Sequence, residues 1–237
     1  THGFVRVAAC APVVAPADPV TNAERILAFA READEARAAI LLTPELSLTG
    51  YAIDDLLLQD ALLDATEAAI ETLRAASADL FPILIVGAPR RSRGALYNCA
   101  VVIHRGRILG IVPKTYLPNY RPTPPSTIGA LSGANILLNM SASNITIGKA
   151  EDRAILCDSQ SRRCCAAYVF AASGAGESTT DLAWDGQIVA YEMGAKIAEG
   201  ERFAREPKLV LADIDVGRIA AERRRLSSFR DAAARAA

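Results

Sequence analysis

The feature that most constrains this chain is an apolar run, Ala38 to Leu42, stopped at Pro44 and followed at once by a single carboxylate, Glu45. A short continuous apolar run closed by a breaker is the pattern of a strand buried on both faces, which requires layers of structure above and below it. Proline cannot donate to a ladder, so the strand ends before Pro44 and Glu45 falls at its carboxyl end. In open α/β sheets that edge gathers ligands and reacting groups. Gly50-Tyr51 then turns the chain toward a helix. Taken alone, Glu45 reads first as a carboxylate that caps a nearby turn.

A second stretch repeats the design with the opposite charge. Val112-Pro113-Lys114-Thr115-Tyr116-Leu117-Pro118 is a strand, a proline and then a lysine. Two punctuated strand ends, one presenting Glu45 and the other Lys114, predict a shared site at one sheet edge, with a structural ion pair as the alternative.

The rest of the chain supplies strands and helices to support that edge. Phe4 to Cys10 reads as a first strand, and Asp18-Pro19 as an N-cap with proline in the first helical turn. Val20, Ala23, Leu27 and Ala30 recur at helical spacing. Asp54-Asp55 is expected to open a second helix through Leu56, Leu63, Ile70 and Leu73, followed by a buried strand, Pro82 to Ala88. Leu96 to Ile103 and Ile108 to Val112 flank a hairpin turn at Arg105-Gly106. Ser126 to Leu131 reads as a short helix, Asn135 to Met140 as a strand, Lys149 to Arg163 as a helix and Cys164 to Ala172 as a strand. Asp185-Gly186 predicts a hairpin between Thr179 to Trp184 and Gln187 to Tyr191. Lys208 to Ile214 is a last strand before a basic, alanine-rich tail. No repeat divides the chain, so one domain over residues 1–237 is expected.

At 237 residues and 51% hydrophobic but only 5% aromatic, the chain can build a large aliphatic core. A net charge of −1 gives no electrostatic case for nucleic acid or an anionic membrane. Arg223-Arg224-Arg225, the best basic cluster, reads as a solvated helix face. Five cysteines, an odd number, suit a reduced cytoplasmic protein better than a disulfide scaffold. No segment approaches the roughly 20 apolar residues of a membrane span, no signal peptide is recognised, and a start at Thr1 places the natural amino terminus upstream. His2 and His104 are too few to complete an ordinary zinc site, and Cys164-Cys165 lacks ligand spacing, so no metal is expected.

Pro-Glu-Leu-x-Leu-x-Gly-Tyr at Pro44 to Tyr51, followed by Pro-Lys-x-Tyr-Leu-Pro at Pro113 to Pro118, resembles the nitrilase superfamily of carbon-nitrogen hydrolases. The resemblance implies an α/β fold, an α-β-β-α sandwich, and a Glu-Lys-Cys triad in which Glu45 is general base and Lys114 supports the oxyanion. The cysteine is missing from its place: no Cys lies between Cys99 and Cys157, and Arg121-Pro122-Thr123-Pro124-Pro125 stands where the family has a strand, an elbow and the nucleophile. A segment is therefore missing near residues 121–122, either outside these 237 residues or truly deleted. The first is adopted, because deleting a central strand would leave neighbouring backbone groups unpaired. Cys10, Cys99, Cys157, Cys164 and Cys165 all read as packing thiols rather than substitutes.

Asn139-Met140-Ser141-Ala142-Ser143-Asn144 before Gly148-Lys149 resembles the glutaminase domain of glutamine-dependent NAD⁺ synthetases. There the loop recognises the amino-acid head of glutamine. The resemblance implies that Ser143 and Lys149 contact substrate, while a helix cap with a solvated lysine remains the alternative; Tyr51 and Tyr120 are implied to line the pocket. Glu177 to Gly186 matches a polar loop near the site's mouth and is given no catalytic role. The implied function is glutamine hydrolysis that feeds ammonia to an ATP- and Mg²⁺-dependent synthetase domain, absent from this chain; the glutaminase itself needs no cofactor. Homo-oligomers are also implied. A catalytically dead binding or oligomerisation module, or a free-standing amidase, are the other readings, the latter disfavoured by the Ser143 to Lys149 segment.

Overall fold

Alternation along the first strand sorts its side chains into two layers. In β1 (Phe4–Ala9), Ala8 and the following Cys10 pack toward helices, while Val7 and Ala9 pack toward a second sheet. A computed structural model describes residues 3–114, 125–207 and 209–236 and shows this division continuing through the chain.

The helical layer over the first sheet is α1 (Pro19–Glu35) and α2 (Asp60–Ala76). Asp18 caps α1, accepting from the Thr21 amide at 3.1 Å and the Thr21 hydroxyl at 2.6 Å. Ala23, Ile26, Leu27, Ala30 and Ala33 form its buried stripe, and Leu62, Leu63, Thr66, Ala69, Ile70 and Leu73 that of α2. The stripes cover Leu41, Leu84, Val86, Val101 and Ile103, and each fully buried aliphatic contributes roughly 2 kcal/mol.

The first sheet has the order β10-β1-β2-β3-β4-β5. β1, β2 (Ile40–Leu42) and β3 (Ile83–Ser92) are parallel, and β3, β4 (Ala95–His104) and β5 (Arg107–Pro113) form an antiparallel meander. β10 (Val210–Asp215) closes the other side, antiparallel to β1. After α3 (Pro125–Leu131), the second sheet runs β6-β7-β8-β9, built from β6 (Ile136–Ser141), β7 (Ala167–Ala172), β8 (Ile188–Glu192) and β9 (Ala195–Glu199). Helix α4 (Lys149–Arg163) joins the parallel pair β6 and β7, and its Cys157 packs on Phe170, Val189 and Tyr191. Val7, Ala9, Leu42 and Ile85 meet Val169, Ala171, Ile188 and Ala190 between the sheets. The layers are therefore α-β-β-α.

Several expectations change here. The second helix does not open at Asp54: residues Asp54–Leu58 form a 3-10 turn, Asp54 holds φ +45°, and extended Gln59 breaks the chain before α2, leaving Leu56 outside the buried stripe. Asp185-Gly186 is not a hairpin turn; Asp185 is buried in an ion cluster, and the hairpin lies at Met193-Gly194, both at positive φ, between β8 and β9. The strand expected from Cys164 begins at Ala167, after Cys165 at φ +44°. The tail forms α5 (Val216–Arg225) and α6 (Ser227–Ala236). Arg223 is no solvated residue: its guanidinium donates to the Cys165 and Ala134 carbonyls and to Asn135 Oδ1 at 2.7–2.9 Å, satisfying oxygens where two segments end. Tyr120 and the junction at Arg121-Pro122 lie outside the described residues.

Candidate active site

Glu45 stands in a turn immediately beyond β2, as the proline punctuation dictates. The turn is fastened to β3: the Thr43 amide donates to the Ile85 carbonyl at 3.1 Å, and the Leu48 amide to the Gly87 carbonyl at 3.1 Å. Thr43 and Ser47 hydroxyls are 2.7 Å apart, and the Gly87 amide donates to Ser47 Oγ at 3.3 Å. Gly87 is the residue that lets the turn lie so close. A Cβ there would sit 2.4 Å from the Leu46 nitrogen and 2.5 Å from the Pro44 oxygen.

Glu45 is 7% exposed, and its carboxylate gathers donors from three elements. Lys114, one residue past β5, donates from Nζ to Oε1 at 2.5 Å. Asn98 of β4 donates from Nδ2 to the same oxygen at 2.5 Å, and the Ala142 amide, just past β6, donates to Oε2 at 3.1 Å. Glu45 is thus fixed where both sheets end, while the Lys114 side chain remains 35% exposed to an adjoining cavity. Lys114 and Asn98 line that cavity, of about 570 Å³, with Leu46, Tyr51 and Leu57.

Ser143 follows Ala142, and its carbonyl accepts from Arg153 Nη2, which also donates to the Asn144 carbonyl at 3.0 Å. Lys149, the first residue of α4, donates to Asn144 Oδ1 at 3.2 Å; burial, aided by nearby Arg153, pushes its ammonium pKa down, against a smaller opposing pull from Asp185. Arg153 is anchored at 2.9 Å to fully buried Asp185, which also accepts from Arg202 at 2.9 Å. The structure therefore joins Glu45 to Lys114 directly, places Tyr51 in the cavity beside Lys114, and puts Ser143 on the loop running from the Glu45 contact, with Lys149 at the start of α4 where that loop ends.

Sequence reasoning missed Asn98, the Ala142 amide and the Arg153–Asp185 anchor. Asn98 left a signal, a polar side chain on an inward position of the alternating apolar strand Leu96 to Ile103. The Ala142 amide left none, because any residue carries that donor.

All five thiols are buried and unpaired in disulfides. Burial pushes Cys10, Cys99 and Cys165 up and Cys157 up to about 12, the reverse of what an attacking thiolate needs. Cys99 lies one residue from Asn98, yet its electrostatic neighbours are Arg90 and Glu67, on the α2 side of the sheet.

Fold and site together define a nitrilase-type α-β-β-α sandwich with a carboxylate and an ammonium paired at the strand ends. A family model described as carbon-nitrogen hydrolase matches residues 5–129, and the chain belongs to that family. It is 45% identical to the glutamine-dependent NAD(+) synthetase of Mycobacterium tuberculosis, over 97% of this chain and 42% of the relative. It therefore spans about two-fifths of that relative's length. That alignment runs over 283 positions against a chain of 237 residues, so at least 46 positions of the matched region have no counterpart here. Among solved structures, the glutamine-dependent NAD(+) synthetase from Cytophaga hutchinsonii superposes with a TM-score of 0.80 at 25% identity, over 89% of this chain and 43% of that one. A mutant amidase from Nesterenkonia sp. AN1, with the acetamide moiety of fluoroacetamide added covalently at its active site cysteine, shares the fold at TM-score 0.73 and 20% identity, covering 95% of this chain and 97% of its own.

Proposed function

We propose that this chain is the glutamine-hydrolysing part of a glutamine-dependent NAD⁺ synthetase. The observation that carries the reading is Glu45, buried between the two sheets and bound at once by Lys114, Asn98 and the Ala142 amide. A cysteine thiol would give its proton to Glu45, and its sulfur would attack the amide carbon of glutamine. Lys114 would face the oxygen as it becomes an oxyanion, a donor role typically worth about 3–4 kcal/mol of barrier. Glu45 would pass the proton to the leaving nitrogen, releasing ammonia and a thioester. Water, deprotonated by Glu45, would then release glutamate and restore the thiol. Tyr51, Ser143 and Lys149 would hold the amino-acid head, with Tyr120 as a further pocket residue. The ammonia would serve a synthetase domain that uses ATP and Mg²⁺ to amidate nicotinate adenine dinucleotide.

The nucleophile belongs to a segment outside these 237 residues. Three observations support this: the five upshifted or enclosed thiols, the unmatched positions in the alignment, and the unequal sheets. The second sheet stops at β6, which pairs only with β7 among the described residues. Val112 of β5, opposite inward-facing Ala100, is left 59% exposed. A further strand beside β6 would cover that face. We also place the protein in the reducing cytoplasm, in keeping with unpaired buried thiols, and as a homo-oligomer through the outer face of α4, where Ile155 and Leu156 are exposed.

Calorimetry with glutamine and an ammonia-release assay test the reading together. The 237-residue chain is expected to bind glutamine and release no ammonia. A native polypeptide carrying a cysteine-bearing segment between Tyr120 and Pro125 is expected to do both. Absence of glutamine binding would overturn the substrate; a native polypeptide with Arg121 joined directly to Pro122 would leave a binding module and remove the enzyme.

A further inference from the structure

Glu177 is a buried carboxylate, 4% exposed, that the chemistry above does not use. Among the described residues it has no basic partner; its oxygens accept from the Tyr51 amide at 3.0 and 2.9 Å and from the Ala52 amide at 3.2 Å. Sequestering a carboxylate this way costs free energy that two backbone amides only partly offset, and burial pushes the Glu177 pKa up. The strap that delivers it is seated tightly. Ala175 accepts from the Val14 amide at 2.8 Å, and Gly176, at φ +91°, lies so close that a Cβ would fall 2.0 Å from the Val14 oxygen. Farther along the strap, the Trp184 indole donates to the Ser178 carbonyl at 2.7 Å, and its ring meets Tyr51 edge-on at 6.0 Å between centroids. Tyr51 is thereby held at its backbone by Glu177 and at its ring by Trp184, on the wall of the cavity that contains Lys114.

We propose that Glu177 is a positioning residue that fixes Tyr51 in the glutamine pocket from the far strap. The inference rests on the glutamine reading of that pocket. Oε2 alone accepts from both amides, and Oε1 accepts a second contact from the Tyr51 amide. A glutamine keeps one acceptor oxygen but turns an NH2 donor toward a backbone donor, so the carboxylate is needed although burying it is costly. Trp184 is the chain's one tryptophan, so intrinsic emission reports on the contact with Tyr51 directly.

The experiment compares the 237-residue chain with Glu177→Gln by emission without ligand, by thermal melting and by calorimetric titration of glutamine. Glu177→Gln is expected to alter Trp184 emission before any ligand is added, to keep or raise the melting temperature, and to weaken glutamine binding about tenfold, as misplacing a pocket group does. Tyr51→Phe, which keeps the ring and the backbone donor, is expected to leave unliganded emission near that of the parent. Unchanged emission and unchanged glutamine affinity in Glu177→Gln would overturn the proposal, as would a lower melting temperature with intact affinity. If the parent chain binds no glutamine, the glutamine reading fails by itself, and the unliganded emission still decides whether Glu177 holds Tyr51 against Trp184.

Discussion

Glu45 is almost entirely enclosed, whereas Lys114 keeps a third of its side chain in solvent, and that asymmetry sets what each contributes. Removing Lys114 leaves a buried carboxylate short of its cation, while removing the charge of Glu45 leaves an ammonium that water can still reach. Lys114→Ala is therefore expected to destabilise the chain by about 2 kcal/mol, a value discounted for the exposure of the lysine, and Glu45→Gln by less. Urea unfolding of both variants and of the double variant checks the order, and equal costs would count against an enclosed carboxylate. Glu177 gives a pH prediction of opposite kind. Its acid is raised above the ordinary 4.5 by burial, with no charged side chain among the causes. The folded state then holds the proton more tightly than the unfolded one, so this group's contribution to stability is best below 4.5 and declines as pH rises through the raised value. Urea midpoints across that interval should fall less steeply in Glu177→Gln than in the parent. Glu45 and Lys114 were legible because proline marks the end of a strand in sequence. Glu177 was not, since its target is a pair of backbone amides more than a hundred residues away.

At the scale of elements, the site depends on how closely the Glu45 turn lies on β3, and Gly87 sets that approach. The neighbours a Cβ would strike are the backbone of Pro44, Glu45 and Leu46. Backbone cannot rotate away as a side chain can, so Gly87→Ala must push the turn off the strand, at a cost of about 3 kcal/mol. The expected outcome is a lowered urea midpoint together with lost glutamine binding; a variant that keeps both would show that the turn can shift without moving Glu45. The helices α1 and α4 and most strands could be read from periodicity and capping. The misread hairpin shows where local chemistry is insufficient. Asp185-Gly186 has favoured hairpin-turn residues, yet Asp185 answers to Arg153 and Arg202. The true turn, Met193-Gly194, has the required positive φ values without the expected asparagine or aspartate.

Among the described residues the two sheets are unequal, six strands against four, and the inequality falls beside the site. α/β layers stay soluble when each apolar face is covered and each strand edge is paired or protected. On the covered side, β1 and β10 have β7, β8 and β9 opposite them. On the other side, β5 carries exposed Leu109, Ile111 and Val112, and β6 has no second partner among the described residues. This open side is a physical liability. The 237-residue chain should self-associate with rising concentration, as long apolar edges do. Val112→Lys places a charge on that face without touching a buried core residue and is expected to reduce association while leaving the urea midpoint nearly unchanged. Association through α4 would instead survive Val112→Lys and yield to Leu156→Glu, so sedimentation of the two variants separates an uncovered sheet from an oligomer interface. A native polypeptide that supplies the further strand should show no response to Val112→Lys in association, because the residue would then be inside; there the same change should lower stability.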